Sequence, residues 1–312
     1  MRSIIKPSMR PKFLVLNFLY FIIRPPIVRF IDPLTKVKIG RHKILFPLSH
    51  NFPLFIKLFP DYSQNVGRLA KIALKKYPQL KLVDIGANIG DTVAILRRYA
   101  NFPILCIEGN PHYFKLLKRN MLGFEDIELA QEYLGISNKV IKAEIVTTGG
   151  SAHISGKSRL DSIETKTLEE VLKTKKGFAN SKFVKIDTDG YDTLIIKGAV
   201  NWLEKVKPII FFEYSPDLLS RNDEYRLEVF NLLRRIGYEH AAFYNNFGEY
   251  LLSTKLDNKE LIEDITTYFS GKENKEYCDV CVFHKNDRDL FKIVRNSELK
   301  HFKNLKAKIK IR

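Results

Sequence analysis

Leu82-Val83-Asp84-Ile85-Gly86-Ala87-Asn88-Ile89-Gly90-Asp91-Thr92 decides the fold. A short apolar run ends in an acid. A glycine-bearing turn follows, and Thr92 to Tyr99 then carries the pattern of a helix. Strand, tight turn and helix in this order present a loop backbone and a helix N-terminus to a nucleotide-like ligand. A side chain at either glycine would obstruct the chain reversal or the ligand's approach.

The residue types narrow the ligand. A dinucleotide fingerprint requires G-x-G-x-x-G, and counted from Gly86 its later glycines fall on Asn88 and Asp91. Asp84, two residues before Gly86, sets a carboxylate at the mouth of the first strand. That charge is unfavourable beside a pyrophosphate and suits a ligand with a cationic amino group. S-adenosylmethionine carries such an ammonium, together with a sulfonium. Its loop would comprise Gly86, Ala87, Asn88 and Gly90. The next apolar run, Ile104 to Ile107, ends at Glu108, about twenty residues beyond the loop, where an acid binds ribose hydroxyls. An ordinary glycine-rich turn and a surface glutamate would explain each feature singly. Two acids at the ends of successive strands favour the ligand.

Outward from this unit, strands alternate with helices from 80 to 285. Strands are expected at Lys81–Ile85, Ile104–Ile107, Ile127–Glu132, Phe183–Ile186, Ile209–Phe212, His240–Tyr244 and Cys278–Phe283. Helices are expected at Gln64–Lys76, Thr92–Tyr99, Tyr113–Met121, Thr167–Lys173, Tyr191–Glu204 and Glu224–Ile236. Lys142 to Ile154 alternates like an antiparallel hairpin turning at Gly149-Gly150. The order predicts an α/β fold with a doubly wound, mostly parallel sheet. Residues 61–285 form that domain. Residues 1–60 lack its periodicity and read as an N-terminal cap, with a short strand pair between Val37 and Phe46. Residues 286–312 read as a basic tail.

Composition sets outer limits. A chain of 312 residues with 45% hydrophobic content can bury one large α/β core. The formal charge of +17 makes anionic partners plausible, although a basic protein from a lysine-rich proteome would show the same balance. No basic-aromatic RNA-binding motif is present, so no nucleic acid is expected as partner. Of the three cysteines, Cys106 lies in an apolar strand, and Cys278 and Cys281 form one C-x-x-C with neither a second pair nor a nearby histidine. Zinc is therefore not expected, and the thiols fit a reducing cytoplasm. Phe13 to Ile23 is apolar apart from Asn17 and flanked by Arg10, Lys12 and Arg24. Eleven residues are too few to cross a bilayer as a helix, and Pro25-Pro26 stands where a small-residue cleavage site would be. With the basic tail, this segment suggests peripheral contact with an anionic membrane.

A second motif, Phe183-Val184-Lys185-Ile186-Asp187-Thr188-Asp189-Gly190-Tyr191-Asp192, delivers another acid to a strand end. Phe211-Phe212-Glu213 does the same on the following strand. Asp84, Glu108, Asp187 and Glu213 thus gather at carboxyl ends, where doubly wound folds bind ligands. Together with Glu108-Gly109-Asn110-Pro111, Thr167 to Leu172 and Ile196-Lys197-Gly198-Ala199, these motifs resemble the FkbM family of class I S-adenosylmethionine-dependent methyltransferases, over roughly 80–215. Pro47-Leu48-Ser49-His50-Asn51 resembles segments that precede the domain in bacterial members. Two departures stand out: Asp-Thr-Asp-Gly replaces the family's usual Asp-x-Glu-Gly, and Glu108-Gly109 replaces Glu-Pro.

The resemblance implies a seven-stranded sheet and methyl transfer to an oxygen, commonly a hydroxyl of a sugar or glycoconjugate in cell-surface polysaccharide. An RNA or natural-product acceptor is the alternative. Such a step needs alignment and removal of a proton. Asp187 and Asp189 are the candidate catalytic residues, and His112 and His153 are weaker bases. Two carboxylates alone do not make a metal site, so none is expected. A nicotinamide-dependent sugar oxidoreductase is the rival enzyme, and the missing G-x-G-x-x-G counts against it.

Overall fold

The computed structural model describes residues 24–148, 151–155, 161–216, 223–270 and 277–310. The apolar segment Phe13–Ile23 lies outside them. Within them the central sheet has eight strands. In chain order they are β3 (Leu82–Ile85), β4 (Ile104–Ile107), β5 (Ile127–Ala130), β10 (Phe183–Ile186), β11 (Ile209–Tyr214), β12 (Tyr238–Asn245), β13 (Tyr250–Lys255) and β14 (Cys278–His284). Across the sheet they run β13-β12-β14-β11-β10-β3-β4-β5. From β11 to β5 every pairing is parallel, whereas β14, β12 and β13 join antiparallel at the other edge. The count exceeds the expected seven by β13. Tyr250–Lys255 follows β12 through a tight turn at Gly248 and pairs back on it, a local hairpin that the α/β alternation does not announce.

β3, β4, β10 and β11 are buried on both faces, which is why they read as apolar runs interrupted only by Asp84, Lys185 and Glu213. Strand order reverses between β3 and β10. The chain leaves β3 toward β4 on one side, and β10 later pairs with β3 on the other. The crevice opens at that switch point, outside the carboxyl ends of the strands. The register pairs Ile85 with Ile186, so the loops after β3 and β10 emerge side by side.

A second sheet lies between β5 and the helix Leu168–Thr174. It is built from β6 (Tyr133–Leu134), β7 (Lys139–Thr148), β8 (Ser151–Ser155) and β9 (Asp161–Lys166), in the order β6-β9-β7-β8. The expected hairpin is its β7–β8 pair, and its turn at Gly149-Gly150 falls outside the described residues. The long helix expected over Tyr191–Glu204 is two, Asp192–Gly198 and Val200–Val206. Gly198 packs against the Gly135 carbonyl, where a Cβ would collide, and the chain bends at Ala199.

The first and last described segments pack on this body. β1 (Leu34–Ile39) and β2 (His42–Pro47) form the anticipated hairpin, followed by the helix Phe52–Leu58. Ile39, Ile44, Phe46 and Phe52 share an apolar cluster with Ile89, Ala94, Ile95, Tyr113 and Leu116. The cap therefore rests on the glycine loop and on the two helices that follow β3 and β4. The C-terminal segment is not a separate tail over its first half. One helix, Arg288–Lys310, buries Leu290, Phe291 and Val294, and its Glu298 is fully buried against Arg68. Glu298 Oε1 and Oε2 accept from Arg68 Nε and Nη2 at 2.9 and 2.8 Å. A bidentate pair of this kind fixes geometry as well as charge.

Candidate active site

The loop after β3 is shaped by left-handed residues. Gly86, Asn88 and Gly90 have φ of +77°, +50° and +87°. At Gly86 the need for glycine is steric as well, since a Cβ would overlap the Asp187 carbonyl of the neighbouring loop. We expect Gly86→Ala to abolish binding of S-adenosylhomocysteine and to destabilise the fold by about 1–3 kcal/mol, the usual cost of a forced backbone conformation. Calorimetry and urea denaturation measure the two effects.

Two adjoining cavities meet at this loop and share Gly86, Asn88, Asp187 and Asp189. The first runs along the ends of β3 and β4 and is lined by Glu108, Gly109, Tyr113, Tyr133, Leu134 and Tyr191, among others. Gly109 lets the Tyr133 ring lie against the backbone, where a Cβ would sit inside the ring. Glu108 is held rigidly: Oε2 accepts from the Asn88 N–H at 2.9 Å and Oε1 from the Asn110 N–H at 2.7 Å. Asn110 in turn caps the helix Pro111–Asn120 through its side-chain oxygen.

Burial raises the Glu108 carboxyl to about 7, outweighing the two N–H donors that favour its charged form. A ribose hydroxyl donates best to the ionised carboxylate. Affinity for S-adenosylhomocysteine is therefore expected to rise about tenfold per pH unit up to about pH 7 and then level off. Glu108→Gln should flatten that dependence, which separates it from Asp91 and Asp279, also raised to about 7 by burial. The same shift makes the ionised Glu108 a cost to the free protein. That cost is absent at acid pH and grows as pH rises from the unfolded value toward 7.

The second cavity lies under the cap. His50, Asn51, Phe52, Phe55, Tyr62, Asp91, Thr92, Lys185, Asp187, Asp189, Glu213 and Tyr277 line it with the shared residues. Its walls are aromatic and its floor is charged. Lys185 is central, with Nζ 3.1 Å from Asp84 Oδ1 and 3.0 Å from Asp187 Oδ2. The ammonium is almost fully buried; burial works against its charge, but Asp187 and Asp84 outweigh that and hold its pKa above the ordinary lysine value. Asp192, which directly follows the loop, accepts from the Thr188 hydroxyl at 3.0 Å and from the Thr188 and Gly190 N–H groups at 3.3 Å. It thereby ties down the turn that presents Asp187 and Asp189. Burial pushes Glu213 well above the carboxylate range, with Asp187, Asp189, Asp192 and Asp279 adding to the rise.

The residues anticipated from sequence divide into groups. Gly86, Asn88, Glu108, Asp187 and Asp189 reach the cavities, and so does Glu213. Asp84 does not: it is fully buried beneath the loop and lines neither cavity. Lys185 stands directly opposite it in the β3–β10 register and pairs with its charge. Ala87 is packed in the core, and Gly90 makes room for Met121 and Leu117 at the start of the helix Asp91–Leu96. His112 is exposed and lines neither cavity, and the side chain of His153 lies outside the described residues.

Several residues of the site were not singled out from sequence. His50 is buried, and burial brings its imidazole down to about 4. Its Nδ1 accepts from the Phe52 N–H at 3.2 Å, and it lines the second cavity together with Asn88 of the glycine loop. Tyr62 and Tyr277, hydrogen-bonded to each other, come from segments far apart in the chain. Lys185 had one legible signal, a lysine inside an otherwise apolar strand.

A family model described as Methyltransferase FkbM domain matches residues 84–240, just over half of the chain, and spans both strand-end loops. The chain belongs to the FkbM methyltransferase family. Its cofactor is S-adenosylmethionine. Among solved structures it is similar to the methyltransferase FkbM from Methylobacillus flagellatus KT, at 19% identity over 53% of this chain and 40% of that one, with a TM-score of 0.37. It is also similar to P. horikoshii TYW2 in complex with MeSAdo, at 14% identity over 81% and 72% of the two chains, TM-score 0.39. The METTL16 methyltransferase domain aligns at 11% identity over 85% and 79%, TM-score 0.44. No curated protein matches the sequence. The FkbM-family protein thus spans less than half the length of the Methylobacillus structure.

The first cavity fits the cofactor on its own chemistry. Glu108 can accept from ribose hydroxyls, and Tyr113, Tyr133 and Leu134 supply apolar surface for a purine. The cradle depends on glycines at 86 and 109, where a Cβ would close it. Among the described residues no helix is long and apolar enough to cross a membrane, and no group of three or more acidic, histidine or cysteine side chains could hold a metal ion.

Proposed function

We propose that this FkbM-family protein transfers a methyl group to a hydroxyl oxygen of a saccharide. The observation that carries the reading is the second cavity, which shares Asp187 and Asp189 with the cofactor cavity and combines Phe52, Phe55, Tyr62 and Tyr277 with acid groups. A sugar presents apolar C–H faces to aromatic rings and hydroxyls to carboxylates. Four carboxyl groups, those of Asp91, Asp187, Asp189 and Glu213, face the several hydroxyls a sugar would present.

When bound, S-adenosylmethionine supplies a methyl group already activated by its sulfonium. The protein has to hold the acceptor oxygen in line and remove its proton. Asp187 is suited to both: its carboxylate is about half exposed to the shared opening, and Lys185 fixes its orientation at 3.0 Å. As the acceptor oxygen bonded the methyl carbon and the carbon–sulfur bond broke, with neutral S-adenosylhomocysteine leaving, the hydroxyl proton would pass to Asp187 and then to solvent. Glu213, kept neutral by burial, can donate to a second sugar hydroxyl rather than compete as a base. Asp189, at φ +50° in the turn that Asp192 secures, borders both cavities.

The test is radiolabelled methyl transfer from S-adenosylmethionine to glycan, RNA and protein fractions of a host lysate. Label in acid-stable glycan, released as an O-methyl sugar, supports the reading. Label confined to RNA or protein overturns it.

A further inference from the structure

The two ends of the chain converge on one edge of the molecule, the edge where the acceptor cavity lies. Arg24 donates from Nε to the Leu48 carbonyl at 2.8 Å and from Nη2 to Asn51 Oδ1 at 2.9 Å, and Asn51 lines the cavity. Beside it Asp32 accepts from the Ser49 N–H at 2.7 Å. At the other end, Glu298 of the helix Arg288–Lys310 holds Arg68, which also donates from Nη2 to the Gly248 carbonyl at 3.3 Å. His301 meets Asp61 Oδ1 at 2.9 Å, next to the cavity residue Tyr62.

The sequence flanking these two points is cationic without interruption. Asp32 is the first acid of the chain, after Arg2, Lys6, Arg10, Lys12, Arg24 and Arg29. Glu298 is the last, before Lys300, Lys303, Lys306, Lys308, Lys310 and Arg312. Between the first run and the body, Phe30 and Ile31 are 81% and 75% exposed. Two large apolar side chains standing in water beside Arg29 are what an interfacial contact requires. Positive charge alone would suit any polyanion. Paired with exposed apolar side chains, it suits a lipid surface.

We propose that this edge docks on an anionic bilayer, so that the acceptor cavity opens at the membrane surface and takes a saccharide carried on a membrane-anchored lipid. The saccharide part rests on the function proposed above; the docking does not.

Vesicle flotation of the full chain tests it. The protein is expected to float with phosphatidylcholine vesicles containing phosphatidylglycerol at low salt, to be released by high salt, and to ignore phosphatidylcholine alone. Each basic residue near such a surface adds about fivefold in binding, so Lys300→Gln with Lys303→Gln should weaken it about 25-fold. Phe30→Ser with Ile31→Ser should weaken binding by a similar order, while calorimetric binding of S-adenosylhomocysteine stays unchanged and reports an intact fold. Orientation is read with brominated lipid: a tryptophan placed by Phe30→Trp should be quenched, and one placed by Lys176→Trp, exposed at the amino ends of the strands beside Lys81, should not. Failure of the wild type to float at low salt overturns the proposal. So does equal flotation of both double variants, quenching at 176 in place of 30, or tight binding of RNA with none of vesicles. Absence of label in glycans would count against the sugar reading alone and would leave the flotation result standing.

Discussion

Lys185→Met is expected to cost about 3–5 kcal/mol of unfolding free energy, the scale for removing one partner of a buried ion pair. Asp84 is fully buried, and Lys185 is the ion-pair partner the structure gives it. Methionine keeps the length and the apolar stem, so the loss isolates the charge. Burial already raises the Asp84 pKa, and without the ammonium it will rise further. The variant should therefore recover stability as pH falls and Asp84 takes up a proton; a carboxyl raised above its unfolded value favours the folded state at acid pH. Adding Asp84→Asn should restore part of the loss at neutral pH, and urea midpoints around the double-mutant cycle give the coupling. A loss under 1 kcal/mol would mean that Lys185 serves Asp187 and the reaction rather than the β3–β10 junction.

This ion pair also explains which parts of the protein could be read from its sequence. β3, β4, β10 and β11 are short apolar runs with an acid at or near the carboxyl end, and the helices Pro111–Asn120 and Leu168–Thr174 carry their own caps at Asn110 and Thr167. Such signals are local, so the doubly wound order was legible. Lys185 and Asp84 belong to strands 101 residues apart, by their own numbers, and only the register sets them face to face. Read singly, Asp84 is an acid at a strand mouth, free to meet a ligand; in the fold its charge is already met. The acceptor cavity has the same character. His50, Tyr62 and Tyr277 come from the cap, the segment before Gln64 and the start of β14, and no spacing relates them. The hairpin strand β13 and the break at Ala199 depend on the Gly248 turn and on contact with the Gly135 carbonyl. Glu108, by contrast, was legible because its partners Asn88 and Asn110 lie on loops fixed by the same local motif.

Asp187→Asn is expected to lower turnover by about 10²–10⁴-fold, the usual scale for general acid–base help. The substitution preserves shape and keeps a group that can accept from Lys185. Because Asp187 is 46% exposed, the ion pair it loses contributes little to folding, and the thermal midpoint should barely move. Affinity for S-adenosylhomocysteine should largely persist, since Glu108 and the glycine loop supply the cofactor cavity's fixed contacts. Two measurements on one variant thus separate three roles. Lost turnover with retained affinity places Asp187 on the acceptor's proton. Lost affinity with an unchanged rate per bound complex makes it a cofactor ligand, which its position on the border of both cavities would allow. If neither changes, the proton leaves by another group, and Glu213→Gln becomes the decisive variant. Glu213 could act as the base only in its ionised form, which its burial disfavours, so activity would then climb as pH rises through that raised pKa. A profile that is flat there, with Asp187→Asn inactive, assigns the reaction centre to Asp187.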